Sequence, residues 1–149
     1  MLSASGRFFS NSLIFCLQRP EVMASSLPLL VLLLCCVGVA LSDLRVSRLS
    51  ARGLRKGVSE ADGYVKVYCV SRYLGETNVI RNNPNPYWSQ TFSYSDARAN
   101  DRLELRVYDQ DPLFDDEVGR CYTRLRRGNH WERCSLRKGG TLYFSYSFS

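Results

Sequence analysis

Five carboxylates crowd into nine residues of this chain, Asp109-Gln110-Asp111-Pro112-Leu113-Phe114-Asp115-Asp116-Glu117. Like charges gathered in one loop repel unless solvent or a cation neutralises them. The cluster is therefore either a solvated acidic turn, since Asp favours turns for backbone reasons alone, or a set of oxygen ligands for a hard cation. Calcium accepts several carboxylates from a flexible loop. Catalytic alternatives have little to stand on. Residues 43–149 contain no Gly-x-Ser-x-Gly elbow, no phosphate-binding glycine loop and no Cys/His dyad, His130 being the chain's lone histidine. Asp109 and Asp111 resemble a glycosidase carboxylate pair only in being two acids close together. Without Cys-x-x-Cys spacing, zinc is not expected either.

The acidic loop sits in a chain that is basic on average. The 149 residues carry 20 Lys+Arg against 14 Asp+Glu, a net of +6, with six cysteines. Those averages mix two parts. Leu27 to Leu41 is a run of Leu, Val, Ala and Cys interrupted by Pro28 and Gly38. Its fifteen residues span about 22 Å as a helix, short of the roughly 30 Å hydrocarbon core of a bilayer. It follows Met23-Ala24-Ser25-Ser26 and closes on Ala40-Leu41-Ser42, which presents small residues where a signal peptidase reads. Residues 1–42 are accordingly expected to be an N-terminal extension plus a cleavable signal peptide, an uncleaved anchor being the alternative, and 43–149 a single domain. Arg7, Arg19 and Glu21 lie in the leader, so the domain keeps 18 basic and 13 acidic residues, a net of +5. Clustered acids and an expected secreted location argue against nucleic acid as a partner. No Asn-x-Ser/Thr acceptor for glycosylation is present.

Only Cys69, Cys121 and Cys134 remain in that domain. In an oxidising compartment two of the three can pair, leaving one free, buried or bridged to another chain. Closing the loop between Cys121 and Cys134 would contribute about 3 kcal/mol, which matters in a domain this small.

The apolar period of the domain is two. Val65, Val67 and Cys69 alternate with Tyr64, Lys66 and Tyr68; Leu103, Leu105 and Val107 with Glu104, Arg106 and Tyr108; Leu142, Phe144, Tyr146 and Phe148 with Tyr143, Ser145 and Ser147. These are half-buried antiparallel strands. Weaker strands are predicted at 44–49, 78–81, 88–94, 117–125 and 131–136, parted by turn-rich stretches such as Asn82-Asn83-Pro84-Asn85-Pro86 and Lys138-Gly139-Gly140. About eight strands and no helix predict an all-β, eight-stranded antiparallel β-sandwich, because each sheet needs a second apolar face to cover its own.

Several motifs, in order, resemble those of C2 domains. Asp62-Gly63-Tyr64-Val65-Lys66-Val67 is similar to the Asp-x-Tyr-Val-Lys-Val strand entry, and Asn83-Pro84-Asn85-Pro86-Tyr87-Trp88 with Phe92 to the Asn-Pro-x-Trp loop 2. Val107-Tyr108-Asp109-Gln110-Asp111 and Asp116-Glu117-Val118-Gly119 resemble the third calcium-binding loop, and Leu44 to Leu54 the first strand and its exit. Within that superfamily the C-terminal C2 domain of perforin is similar. The shared features are Arg-Gly-Leu-Arg before loop 1, an aromatic in the acidic loop 3, Gly119-Arg120-Cys121, Cys134 about a dozen residues on, and a closing aromatic strand. The 149 residues leave no room for perforin's pore-forming domain, so a targeting module without the pore is expected.

The resemblance implies calcium ligands Asp62 from loop 1 and Asp109, Asp111 and Asp116 from loop 3, with Asp115 as a neighbour. Aligned on Gly119, loop 3 is one residue shorter than perforin's, making Glu117 the alternative to Asp116. The usual first aspartate of loop 1 falls on Lys56, whose ammonium opposes a cation. Weak binding is therefore expected, in the ~0.1 to 1 mM range of extracellular modules and of one ion rather than several. The resemblance further implies a Cys121–Cys134 pair. Leu113, Phe114 and Tyr87 are the expected membrane-contact side chains, apolar tips on a cation-carrying rim that can enter the headgroup region of anionic or zwitterionic phospholipid. Trp88 is expected in the core. Arg124, Arg126, Arg127, Arg133, Arg137 and Lys138 form either a basic face for anionic lipid or a solvated strand surface.

Two functions are thus expected to compete. One is a secreted, extracellular, non-enzymatic C2 module that binds calcium and phospholipid and associates peripherally with membranes, a perforin-like targeting domain without the pore, serving immune defence or cytolysis. The other is a calcium-independent module that binds a protein or glycan through its basic surface, or a protein partner through Cys69.

Overall fold

Alternating side chains in strands that have one wet face must find a second sheet to cover the dry one. The computed structural model, which describes residues 43–56 and 59–149, does this with two antiparallel sheets. The expected leader lies outside the described residues. Eleven strands are described, and no helix. One sheet orders β10 (Gly128–Ser135), β11 (Thr141–Phe148) and β1 (Leu44–Arg52), with β6 (Tyr87–Trp88) and β7 (Phe92–Tyr94) both on the far edge of β1. The other orders β5 (Arg72–Glu76), β4 (Gly63–Cys69), β8 (Arg102–Asp109) and β9 (Asp116–Arg124). β2 (Arg55–Lys56) and β3 (Ser59–Glu60) make a small separate ribbon.

β6 and β7 are two halves of one interrupted strand. They pair with Leu49–Ser50 and Leu44–Val46 of the same neighbour. Counted so, each sheet has four strands among the described residues, the eight expected. The core lies between them. Leu44, Val46, Leu142, Phe144 and Tyr146 face Val65, Val67, Leu103, Leu105 and Val107, all buried. Burying each such side chain contributes roughly 1.5–3 kcal/mol. Trp88 is buried with them, as expected.

Two local devices keep the pattern in phase. In β1 the core positions are Leu44 and Val46, then Leu49 and Ala51, a change from even to odd numbers. The pairing with β11 slips between Ser47 and Ser50, and Arg48 has φ 55°. This β-bulge restores the inward register that strict alternation would lose. The second device is the disulfide between Cys121 and Cys134. It joins β9 to β10, the exposed edges of the two sheets, and so staples the sandwich along one side. At the opposite side Gly75 of β5 lies against the ring of Phe92, where a Cβ would come within 2.9 Å of Cε1.

Three expectations are corrected. The strand expected at 78–81 is a single bridge between Ile80 and Gly63, and the paired strand is instead β5. Val70 and Ser71 turn the chain back at φ 48° and 66°, so Tyr73 and Arg72 pair with Tyr68 and Cys69. A two-residue hairpin of this hand normally uses Asn-Gly, and a β-branched residue there gives no sequence warning. Second, Cys69 cannot bridge to another chain. It is fully buried opposite Leu103, and burial pushes its thiol up to about 11. Third, the basic run does not form one face. Arg124, Arg126 and Arg127 sit where β9 ends and β10 begins, whereas Arg137 and Lys138 lie on the turn beyond β10, at the other end of the sandwich.

Candidate functional site

The acidic loop is carried by the hairpin β8–β9, whose strands meet at Asp109 opposite Asp116. Asp109 continues the inward series Leu103, Leu105, Val107 and is therefore buried at the rim of the core, 3% exposed. A buried carboxylate needs hydrogen bonds. Asp109 Oδ1 accepts one from the backbone N–H of Asp62 at 2.6 Å. Asp62 carries the link onward. Its carbonyl accepts from Gln110 N at 2.9 Å and its Oδ1 from Asn82 N at 2.8 Å. One aspartate thus ties loops 1, 2 and 3 together at one end of the sandwich.

Loop 3 is fixed at a second point. Tyr64 and Tyr108 stack on the outer face of the four-stranded sheet, ring centroids 5.5 Å apart, with Lys66 Nζ 4.8 Å from the Tyr108 ring. The Tyr64 hydroxyl donates to Asp115 Oδ2 at 2.5 Å, and Asp111 N donates to Asp115 Oδ1 at 3.2 Å. Both bonds stabilise the charged carboxylate and hold Asp115 below the usual carboxylate range, while burial and the same bond drive the Tyr64 phenol well upward.

The loop end therefore divides its acids. Asp62, Asp109, Asp111 and Asp115 lie together, and a pocket of about 240 Å³ is lined by Asp62, Arg81, Gln110, Asp111 and Pro112. Asp116 Oδ2 faces Lys138 Nζ at 3.3 Å, and Glu117 receives a two-pronged contact from Arg120, 2.9 Å from Nε and 2.7 Å from Nη2. Much of the neutralising charge is supplied by the protein itself. Arg81 lines the pocket and its Nη2 reaches Gln110 Oε1 at 3.4 Å. Among the described residues no three acidic, histidine or cysteine side chains are disposed to hold a metal as they stand. The donor chemistry suits a hard cation only in part: Asp62, Asp109 and Asp111 supply oxygen, but Arg81 opposes the charge. The Lys56 side chain lies outside the described residues.

At the tip, Leu113 and Phe114 are each 86% exposed, and Tyr87, 62% exposed, pairs opposite Ser50 near the same end. All three expected membrane-contact residues are on the surface. Arg81 was not anticipated as part of this end, nor were the contacts of Tyr64 with Asp115 and of Gln110 with Arg81. Tyr64 reads as an ordinary alternating strand residue, and only its place two residues after Asp62 hinted at more.

A sequence model of the C2 domain family matches residues 42–138. The chain belongs to the C2 domain family. A solved structure described as "Structure of a C2 domain" is 45% identical and superposes with a TM-score of 0.71, covering 72% of this chain and 98% of that one. Human extended synaptotagmin-1 is 38% identical over 74 residues, 49% of this chain and 6% of its own length. Mouse cytosolic phospholipase A2 delta is 34% identical over 80 residues, 50% of this chain and 10% of its own length. The C2 chain thus spans about a tenth or less of those two relatives. C2 domains are typically non-catalytic, and an enzyme that contains one carries its catalytic domain separately.

Proposed function

We propose that this chain is a non-enzymatic C2 module that docks on phospholipid membranes through its loop end. The observation that carries the reading is the pair Leu113–Phe114, fully presented to solvent at the tip of a loop pinned by Tyr64 and Asp115. An exposed apolar pair on an ordered support lowers the ordering cost of insertion into a headgroup layer. Arg81, at the same end, favours contact with phosphate. Calcium, which C2 domains commonly bind, would be held by Asp62, Asp109 and Asp111, one ion and weakly, and would supply positive charge toward lipid phosphate. The chain's own part is to orient the loop and to hold Asp115, Asp116 and Glu117 on internal partners, away from the ion.

Secretion and a perforin-like targeting role in defence or cytolysis belong to the same proposal. Its support is the Cys121–Cys134 disulfide, of a kind that persists in oxidising compartments, together with Gly119-Arg120-Cys121. The test is co-sedimentation of the chain with vesicles of phosphatidylcholine alone or mixed with phosphatidylserine, in millimolar calcium and in chelator. Calcium-dependent pelleting is expected. Equal pelleting in both conditions would favour the calcium-independent reading, for which the engaged loop 3 carboxylates and Arg81 already speak. No pelleting in either would remove the membrane function.

A further inference from the structure

The two sheets differ in how they treat charge on their solvent faces. On the four-stranded sheet most of the cations are answered: Glu104 meets Arg102 at 3.1 Å, Arg106 at 2.8 Å and Arg120 at 3.7 Å, and Lys66 meets Glu76 at 3.9 Å. On the five-stranded sheet they are not. The outward positions of β1, β10 and β11 carry Arg45, Arg48, Arg52 and Arg133, the aromatic residues Trp131 and Tyr143, and otherwise only Ser, Thr and Asn. None of the four arginines has an ion-pair partner among the described residues, and none of those outward positions is an Asp or Glu. Two acids border the face: Asp43, just before β1, lines a hollow with Arg45, and Glu132 alternates to the other side of β10, where its carboxylate reaches Thr123 and Arg126.

Two of the arginines lie over aromatic rings. The Arg48 guanidinium lies 5.0 Å from the centroid of Trp131, itself 67% exposed, and that of Arg52 lies 6.0 Å from the ring of Tyr143. Stacking leaves the guanidinium N–H edges free for an anion and reduces the side-chain entropy lost on binding. Shallow hollows run along the face on either side of Trp131, one lined by Ser47 and Arg48, the other by Arg52, Arg133, Tyr143 and, at its edge, Glu132. Four arginines without ion-pair partners, three on β1 and one on β10, with the hydroxyls of β11 between them and an aromatic ring in the middle, match a long polyanion that carries sugar rings. A single headgroup would need them converged in one pocket.

We infer that the outer face of the five-stranded sheet is a binding surface for a sulfated polysaccharide, in which Arg45, Arg48, Arg52 and Arg133 engage sulfates and Trp131 stacks on a pyranose ring. This surface does not depend on the loop end or on calcium. The test is fluorescence anisotropy of a labelled heparin decasaccharide with the full chain in chelator, against its desulfated counterpart. Salt-sensitive binding to the sulfated form alone is expected. Arg45→Gln, Arg48→Gln and Arg133→Gln together should weaken it about tenfold or more, with the melting temperature unchanged because the side chains are exposed. Leu113→Ser with Phe114→Ser should leave it intact. Equal binding of both saccharides, or of wild type and triple variant, overturns the inference. If instead the triple variant keeps heparin binding but loses calcium-independent pelleting with phosphatidylserine vesicles, the face is a membrane surface and the inference is equally overturned.

Discussion

The hydroxyl of Tyr64 donates to Asp115 Oδ2 across 51 residues of chain, so the outer face of β4 holds the tip of the loop that follows β8. Tyr64→Phe keeps the stacked ring and removes only that bond. The folded Asp115 carboxyl is depressed, so its contribution to stability is complete above the ordinary carboxylate range and lost as pH falls through the lower folded value. In Tyr64→Phe the Asp115 titration should move up toward the ordinary carboxylate range, and stability should lose less on acidification below that range. Carbon-detected NMR titration of Asp115, with equilibrium unfolding at several acid pH values, measures both.

Arg81 and the carboxylates compete for the same charge. Replacing Arg81 with Gln removes a cation from the pocket lined by Asp62 and Asp111. The calcium concentration needed to raise the melting temperature should fall roughly fivefold, the effect of about 1 kcal/mol between partly screened charges. Differential scanning fluorimetry across a calcium titration reads this directly.

Asp109→Asn tests the site from the other direction. Asn keeps an oxygen that can accept from Asp62 N and loses the charge. Any calcium-induced rise in melting temperature should vanish while the unliganded melting temperature changes little, since a ligand that binds only the native state stabilises it by mass action.

Gly119 tests the packing of the turn beyond β10 against β9. A Cβ there would lie 2.8 Å from Arg137 N and 3.0 Å from Leu136 Cβ. Gly119→Ala should destabilise by about 1–3 kcal/mol through overpacking, visible as a lower urea midpoint with an unchanged slope.

The sandwich was legible in the sequence wherever side chains alternate without interruption, as in Leu103–Tyr108 and Leu142–Phe148. The loop acids were legible as a cluster because they are neighbours in the chain. What stayed hidden depended on residues far apart in sequence. Tyr64 and Asp115, Asp116 and Lys138, and Arg48 and Trp131 meet only after the sheets have formed. Nearness in sequence also misled, since Arg124–Arg127 and Arg137–Lys138 flank one strand and so are carried to opposite ends of it. The hairpin at Val70-Ser71 lacks the Gly or Asn that its backbone would favour, and so gave no signal.

The bulge at Arg48 bears on what deletions this domain can survive. Because it switches the strand from even to odd core positions, β1 is read in two frames, and a single residue separates them. Losing that residue would put one half of the strand out of frame, turning Ser50 and Arg52 toward the interior and Leu49 and Ala51 toward water. Point substitution of Arg48 should be tolerated, whereas its deletion should be as damaging as the loss of several core side chains at once.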